Sequence, residues 1–406
     1  MAIVDFILDS TKELFKGGKR YWFWMLALVF FIVLGGLTYI GQFRAGLIKT
    51  GMSDQVSWGF YVANFTYLVG MAAAAVMVVV PTYIFKDKNA RSVVILGEAL
   101  AVAATVMCVL FVTVDMGRPE RIWHVFPFIG RFNWPDSMLT WDVIVLQGYM
   151  ILNLALPLYI LYHRYVGKDY NHKLVYGLVI LSIFWAISIH TVTAFLFSSN
   201  AARPFWHSAL TAPRFLASAF TAGPAFMIIA FRIIHRYANY EIPRQAIDML
   251  AIIVTVAMQI NLVMVGAEIF TEFYSETAHS AHAHYLFFGL NGLNGLVPWI
   301  YSAIVMNIIA VVLLMIHRTR RNMTTLTIAC ILAAVGIWIE KGMGFVLPGF
   351  IPTPLGEVFE YFPTVTELLV TLGVWSIGML IFTVLVKIAI PIQSGRLQWS
   401  KAGGTA

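Results

Sequence analysis

The chain has 406 residues, of which 60% are hydrophobic and 12% charged, and its mean hydropathy of +0.80 excludes an ordinary soluble domain. The net charge of +7 is not a nucleic-acid signal, because the cations gather in short segments between apolar stretches, where they orient helices and meet anionic lipid. Cys108 and Cys330 both lie inside apolar stretches, and no CxxC, CxxCH or Cys/His cluster exists, so neither c-type haem nor an iron–sulfur cluster is expected in this chain.

Ile3, Phe6, Ile7 and Leu14 recur at helical spacing before the first apolar stretch, which fits an interfacial helix or a short ordered tail. About 20 apolar residues cross a bilayer as a helix. Ten such spans are expected, near residues 21–43, 58–85, 92–114, 139–162, 174–198, 214–235, 246–271, 295–316, 324–341 and 365–390. The first lacks a small-residue cleavage site and is expected to be retained. The N-terminal segment carries Lys12, Lys16, Lys19 and Arg20, and the loops near Lys86, Arg164, Arg236 and Arg318 and the C-terminal tail are also basic. The alternate loops are poor in Lys and Arg. The positive-inside rule then places both termini in the cytoplasm, for a multi-pass protein of the cytoplasmic (inner) membrane.

The cation-poor outer loops are long and aromatic. Residues 115–140 include Arg118, Pro119, Trp123, His124, Trp134 and Pro135, and residues 198–213 include Arg203, Pro204, Phe205, Trp206 and His207. Loops of this length are rarely idle connectors, so Arg118, Pro119, Arg203 and Trp206 are expected to dock a partner. The third outer loop carries His279, His282 and His284. Their spacing could hold a metal, but no cysteine accompanies them and none is expected.

Phe65-Thr66 matches Phe220-Thr221, His163-Arg164 matches His317-Arg318, and His190 and Phe195 match Glu340 and Phe345. The offsets equal four helices. One integral membrane domain over 1–406 is therefore expected, all-α and polytopic, with two four-helix bundles (spans 2–5, residues 58–198; spans 6–9, residues 199–341). Residues 1–57 with span 1, and 342–406 with span 10, lie outside them.

Ionisable groups in a hydrocarbon core are functional candidates by default. Glu98 and His190 sit several residues inside their spans, and Asp115, Asp142, Glu268 and Glu340 lie in the outer part. Glu98, Asp115, His190, Glu268 and Glu340 form the expected proton pathway. Asp115, Glu367 and Lys341 also fit simple helix ends in water, and Asn153, Gln259 and Asn261 fit interhelical hydrogen bonding. His190 is the only deep histidine, so a transmembrane haem with two facing histidines is not expected.

The run Asp115-Met116-Gly117-Arg118-Pro119 resembles the Asp-Leu-Gly-Arg-Pro signature of the NrfD/PsrC family of membrane quinone-interacting subunits. Residues 133–142 resemble the family element that opens the next helix, and residues 202–224 its segment linking two bundles. Residues 50–70 and the ten-span length look most like the DsrP group of Dsr transmembrane complexes.

The resemblance implies a respiratory subunit that binds menaquinone or menaquinol near the outer face. It would exchange electrons with a ferredoxin-like iron–sulfur subunit there, with no redox metal of its own. Further membrane cytochrome b, cytochrome c and cytoplasmic iron–sulfur subunits, together with lipid, are the other implied partners. A quinone needs a flat apolar slot, hydrogen-bond partners and a proton carrier. Trp58 and Trp141 are expected to form the slot, Asn64 to bond the headgroup, and Asp142 and His190 to carry protons. A secondary transporter or channel, and a purely structural anchor, are the competing classes. Against a transporter, no paired broken helices are visible at matching positions.

Overall fold

The computed structural model describes residues 2–274 and 280–399. Ten of its helices are long and apolar enough to cross a membrane. In chain order they are Lys19–Ala45, Phe60–Tyr83, Val94–Asp115, Met138–Val166, His172–Ser198, Thr211–Ala238, Arg244–Tyr274, Val297–Met315, Met323–Phe350 and Val365–Gln393, here spans 1 to 10. The expected all-helical polytopic architecture is present. Apart from one isolated bridge between Leu290 and Leu293, the regular structure among the described residues is helical.

Spans 2 to 5 pack as successive neighbours, and so do spans 6 to 9, with span 6 also against span 9. The two groups meet where span 6 lies on spans 2 and 5, and span 9 on span 2. Span 10 is sandwiched between span 1 outside and span 3 inside. Span 1 exposes Phe23, Leu26, Phe30 and Leu37, an apolar surface suited to lipid. Span 2 is the opposite, with nearly every residue buried.

Lipid gives little hydrophobic drive between helices, so close packing at small residues has to hold them together. Gly223 of span 6 is one such point: a Cβ there would lie 2.3 Å from the Ala74 Cβ of span 2. Ala74 belongs to a 3-10 turn, Ala73–Ala75, that interrupts span 2. Span 6 runs unbroken from Thr211 to Ala238, so the break has no counterpart there. The matched threonines do behave alike: Thr66 bonds back to the Val62 carbonyl at 2.8 Å and Thr221 to that of Ala217 at 2.9 Å.

Before span 1 lies a helix, Ala2–Leu14. Tyr165 donates to Asp9 at 2.7 Å, Trp399 donates to Asp5 at 3.0 Å, and Phe6 packs edge-on against Tyr162 and Tyr165. Ile3 and Ile7 face outward, the arrangement of an interfacial helix. A Thr364–Glu367 capping box starts span 10. Glu367 is fully buried rather than standing in water, and it also accepts from the Gly51 N–H at 2.8 Å and the Tyr361 hydroxyl at 2.5 Å.

Candidate functional site

An open-sided cleft of about 340 Å³ lies among spans 2, 6, 9 and 10, lined by Phe60, Asn64, Tyr67, Phe226, Trp338, Thr371 and Trp375 with aliphatic neighbours. Its order begins with Asn64. The side-chain oxygen of Asn64 accepts the indole N–H of Trp338 at 3.1 Å and that of Trp375 at 3.0 Å. Its amide nitrogen donates to the Phe60 carbonyl at 2.8 Å. Asn64 therefore sets the angle of two tryptophan walls. On span 10, Thr371 stands one turn before Trp375, and its buried hydroxyl oxygen has no hydrogen-bond partner. An unmatched hydroxyl beside flat aromatic walls suits a ligand with a polar oxygen on a planar ring.

The expected slot residues are elsewhere. Trp58 stacks on Trp206 and meets Phe197 and Phe350 edge-on, in an aromatic knot. Trp141 donates to the Pro135 carbonyl at 2.8 Å and packs on Trp134, at the opening of span 4. Asp142 is buried and accepts from Thr193 at 2.6 Å. None of these three lines the cleft. His190 lies behind it, in a separate cavity of about 10 Å³ bounded also by Thr66, Tyr67, Gly70, Phe215, Ser218 and Lys341. Tyr67 lines both spaces.

The acidic residues divide into three groups. Glu268 and Glu340 come together around Arg214, which pairs with both. Glu340 also accepts from Asn261 at 3.0 Å and Asn307 at 3.0 Å, so spans 6, 7, 8 and 9 share one polar knot. Asn261 thus does act between helices, as an anchor for a carboxylate. Lys341, for which a helix end in water is one of two readings, is 2% exposed, with its Nζ 3.9 Å from Glu340 and 5.3 Å from the centre of the Phe215 ring. Glu98 is buried in span 3 with one carboxyl oxygen unpartnered, and Asp115 likewise has an unpartnered oxygen at the C-terminal end of that span. Among the described residues, no run of direct hydrogen bonds between side chains joins Glu98 to His190.

Of the expected docking residues, Arg118 is exposed and pairs with Glu120 at 3.4 Å. Pro119 opens a short 3-10 helix, Pro119–Val125. Trp123, Phe126, Phe128, Ile129 and Trp134 of the same loop are exposed. Trp206 corrects the expectation. It is 2% exposed and donates to the Phe345 carbonyl at 2.9 Å, because Trp58, Phe197 and Phe350 close over it. Arg203 lies over the Phe350 ring at 5.0 Å, and partial burial lowers its pKa from the ordinary 12.5. His279 lies outside the described residues. His282 is buried, 3.1 Å from Glu272 and beside the Phe205 ring. His284 packs against Phe273.

Tyr67, Trp338, Thr371, Trp375 and Arg214 are the residues the sequence reading missed. Trp375 did leave a signal. It lies ten residues into span 10, about 15 Å from its start at 1.5 Å per residue, too deep for an interfacial belt.

A family model described as polysulphide reductase, NrfD, matches residues 48–347. The chain belongs to the NrfD family. Three relatives resemble nearly its whole length. A putative dimethyl sulfoxide reductase membrane subunit of Halobacterium salinarum is 26% identical, covering 92% of this chain and 91% of its own. The Hdr-like menaquinol oxidoreductase integral membrane subunit of Archaeoglobus fulgidus is 24% identical, covering 93% and 95%. A selenate reductase subunit of Mesobacillus selenatarsenatis is 22% identical, covering 91% and 95%. These NrfD-like relatives carry the names of three different complexes and do not single out the expected Dsr type.

Proposed function

We propose that this NrfD-family chain is the quinone-binding membrane subunit of a respiratory oxidoreductase complex, and that its quinone site is the cleft among spans 2, 6, 9 and 10. The observation that carries the reading is a cleft walled by Trp338, Trp375, Tyr67 and Phe60, with Thr371, whose buried hydroxyl has no hydrogen-bond partner, among its lining residues. The cleft volume falls in the range of small-molecule sites, and its lining is mostly apolar with few polar groups, as such sites require. The menaquinol oxidoreductase relative favours menaquinone as the ring.

A bound quinone supplies two-electron, two-proton chemistry, and the chain supplies the surroundings. The Thr371 hydroxyl can donate to a carbonyl oxygen or accept from a hydroxyl, so it fits both the oxidised and the reduced headgroup. Trp338 and Trp375, held by Asn64, fix the plane of the ring. The cleft lies in the outer half if the basic segments are cytoplasmic, as the positive-inside rule directs. The exposed loop from Arg118 to Trp134 then faces outward and offers the docking surface for an iron–sulfur electron carrier.

A photoactivatable naphthoquinone applied to membranes holding the intact complex tests this. Cross-links are expected on residues 331–338 and 371–375. Labelling confined to span 4 around Trp141, or labelling not displaced by excess menaquinone, would overturn the assignment.

A further inference from the structure

Two residues that line the small cavity behind the cleft each carry a buried polar atom without a hydrogen-bond partner: Nε2 of His190 and Nζ of Lys341. They come from different bundles, His190 from span 5 and Lys341 from span 9. The Nδ1 of His190 lies 3.2 Å from the Ala186 carbonyl. A carbonyl only accepts, so Nδ1 carries the hydrogen, and in the neutral ring Nε2 presents a lone pair to the cavity. Lys341 presents donors. An acceptor and a donor on two residues that line one space of about 10 Å³ match the size and the partners of a single water. Ser218 and Thr66 line the same space. Gly70 keeps it open: a Cβ there would lie 4.0 Å from His190 Nε2 and 3.5 Å from the Ala219 Cα.

We infer that His190 and Lys341 hold one buried water between the two bundles and form a proton-exchange pair directly behind the Tyr67 wall of the cleft. The water accepts from the Lys341 ammonium and donates to His190 Nε2. Transfer breaks one N–H bond at Lys341 and one O–H bond of the water. It forms one new O–H bond on the water and one N–H bond at His190. The result is a neutral amine and an imidazolium, with no electron moved and no net charge gained. Glu340 and Arg214 flank Lys341 from spans 9 and 6 and set the field in which the ammonium gains or loses its proton. The pair stands on the cavity alone. Its service to the cleft rests on the quinone reading.

The test uses Gly70→Ala, which fills the water's place by ordinary van der Waals contact while leaving both residues intact, together with Lys341→Met. Solid-state NMR of liposomes containing the protein labelled with ¹⁵N-histidine reads the His190 Nε2 resonance, assigned by its loss in His190→Gln. Turnover of a water-soluble naphthoquinol is measured on the complex isolated with its partner subunits. Both variants are expected to shift the resonance and to lower kcat about a hundredfold with KM unchanged. An unshifted resonance in Gly70→Ala overturns the water-bridged pair, even where Lys341→Met fails to fold. A shifted resonance with unchanged kcat overturns its service to the cleft. If the unmodified complex binds no naphthoquinol, the quinone reading fails, and the NMR result still decides whether the pair exists.

Discussion

Trp375 of span 10 donates its indole N–H to Asn64 of span 2 at 3.0 Å, tying a helix beyond the family-matched segment 48–347 into the wall of the candidate site. Trp338 donates to the same oxygen. Asn64→Leu therefore strands two indole donors. Unsatisfied buried groups cost about 1–3 kcal/mol each, so thermal unfolding in detergent is expected to fall clearly. Asn64→Asp keeps the acceptor and is expected to lose less. Equal melting of Asn64→Leu and the parent would show that the two indole bonds do not hold the wall.

Arg214 answers two buried carboxylates at once. Removing one partner of a buried ionic group costs about 3–5 kcal/mol, because the remaining charge is left uncompensated. Arg214→Met is expected to collapse the folded yield. Combining it with Glu268→Gln and Glu340→Gln should recover part of the loss, since the charges leave together. Fluorescence size-exclusion profiles of both variants give the comparison, and no recovery in the triple variant would mean that Arg214 acts mainly by packing.

The ten spans were legible in the sequence because a bilayer demands long apolar runs and their ends are marked by Lys, Arg, Gly and Pro. The interior was not. Arg214 stands in the first turn of span 6, where a cation is unremarkable, and only the folded bundle brings Glu268 and Glu340 to it, 54 and 126 residues away. Trp206 reads as a loop aromatic until Trp58, Phe197, Phe345 and Phe350 converge from distant segments. Asn64 was found as a polar residue in an apolar run, yet its partners Trp338 and Trp375 lie more than 270 residues further along. Side-chain direction within a span follows helical phase, but which neighbour occupies that direction is a tertiary fact.

Gly223 allows spans 2 and 6 to touch. Gly223→Ala places a methyl 2.3 Å from the Ala74 Cβ, and overpacking of this kind costs about 1–3 kcal/mol. Ala74→Gly in the same chain removes the opposing methyl and is expected to restore much of the melting temperature. Additive losses in the double variant would place the strain somewhere other than this contact.

The N-terminal helix carries a pH dependence of defined sign. The Tyr165 hydroxyl, and after it Lys12, hold the Asp9 carboxyl below its ordinary value of 3.8. A depressed carboxylate contributes docking strength that is fully present above that value and is lost as pH falls through the lower one. The protection of residues 2–14 from hydrogen exchange, referred to the intrinsic rate at each pH, is expected to fall on acidification below about pH 4. Asp9→Asn should exchange faster at neutral pH and lose the acid-dependent part. A parent-like profile in Asp9→Asn would remove the Tyr165 contact from the docking of this helix.

The assignment of the cleft is tested most directly by the affinity of the intact complex for a menaquinone-like naphthoquinone, titrated in Thr371→Val, Trp375→Leu and Trp141→Leu. Thr371→Val keeps the shape and deletes the hydroxyl, and the loss of one net hydrogen bond should weaken binding by about 0.5–1.5 kcal/mol. Trp375→Leu removes an aromatic wall and should weaken it further, while Trp141→Leu, remote from the cleft, should leave it unchanged. Unaltered binding in both cleft variants, with loss in Trp141→Leu, would contradict the account and return the site to the opening of span 4.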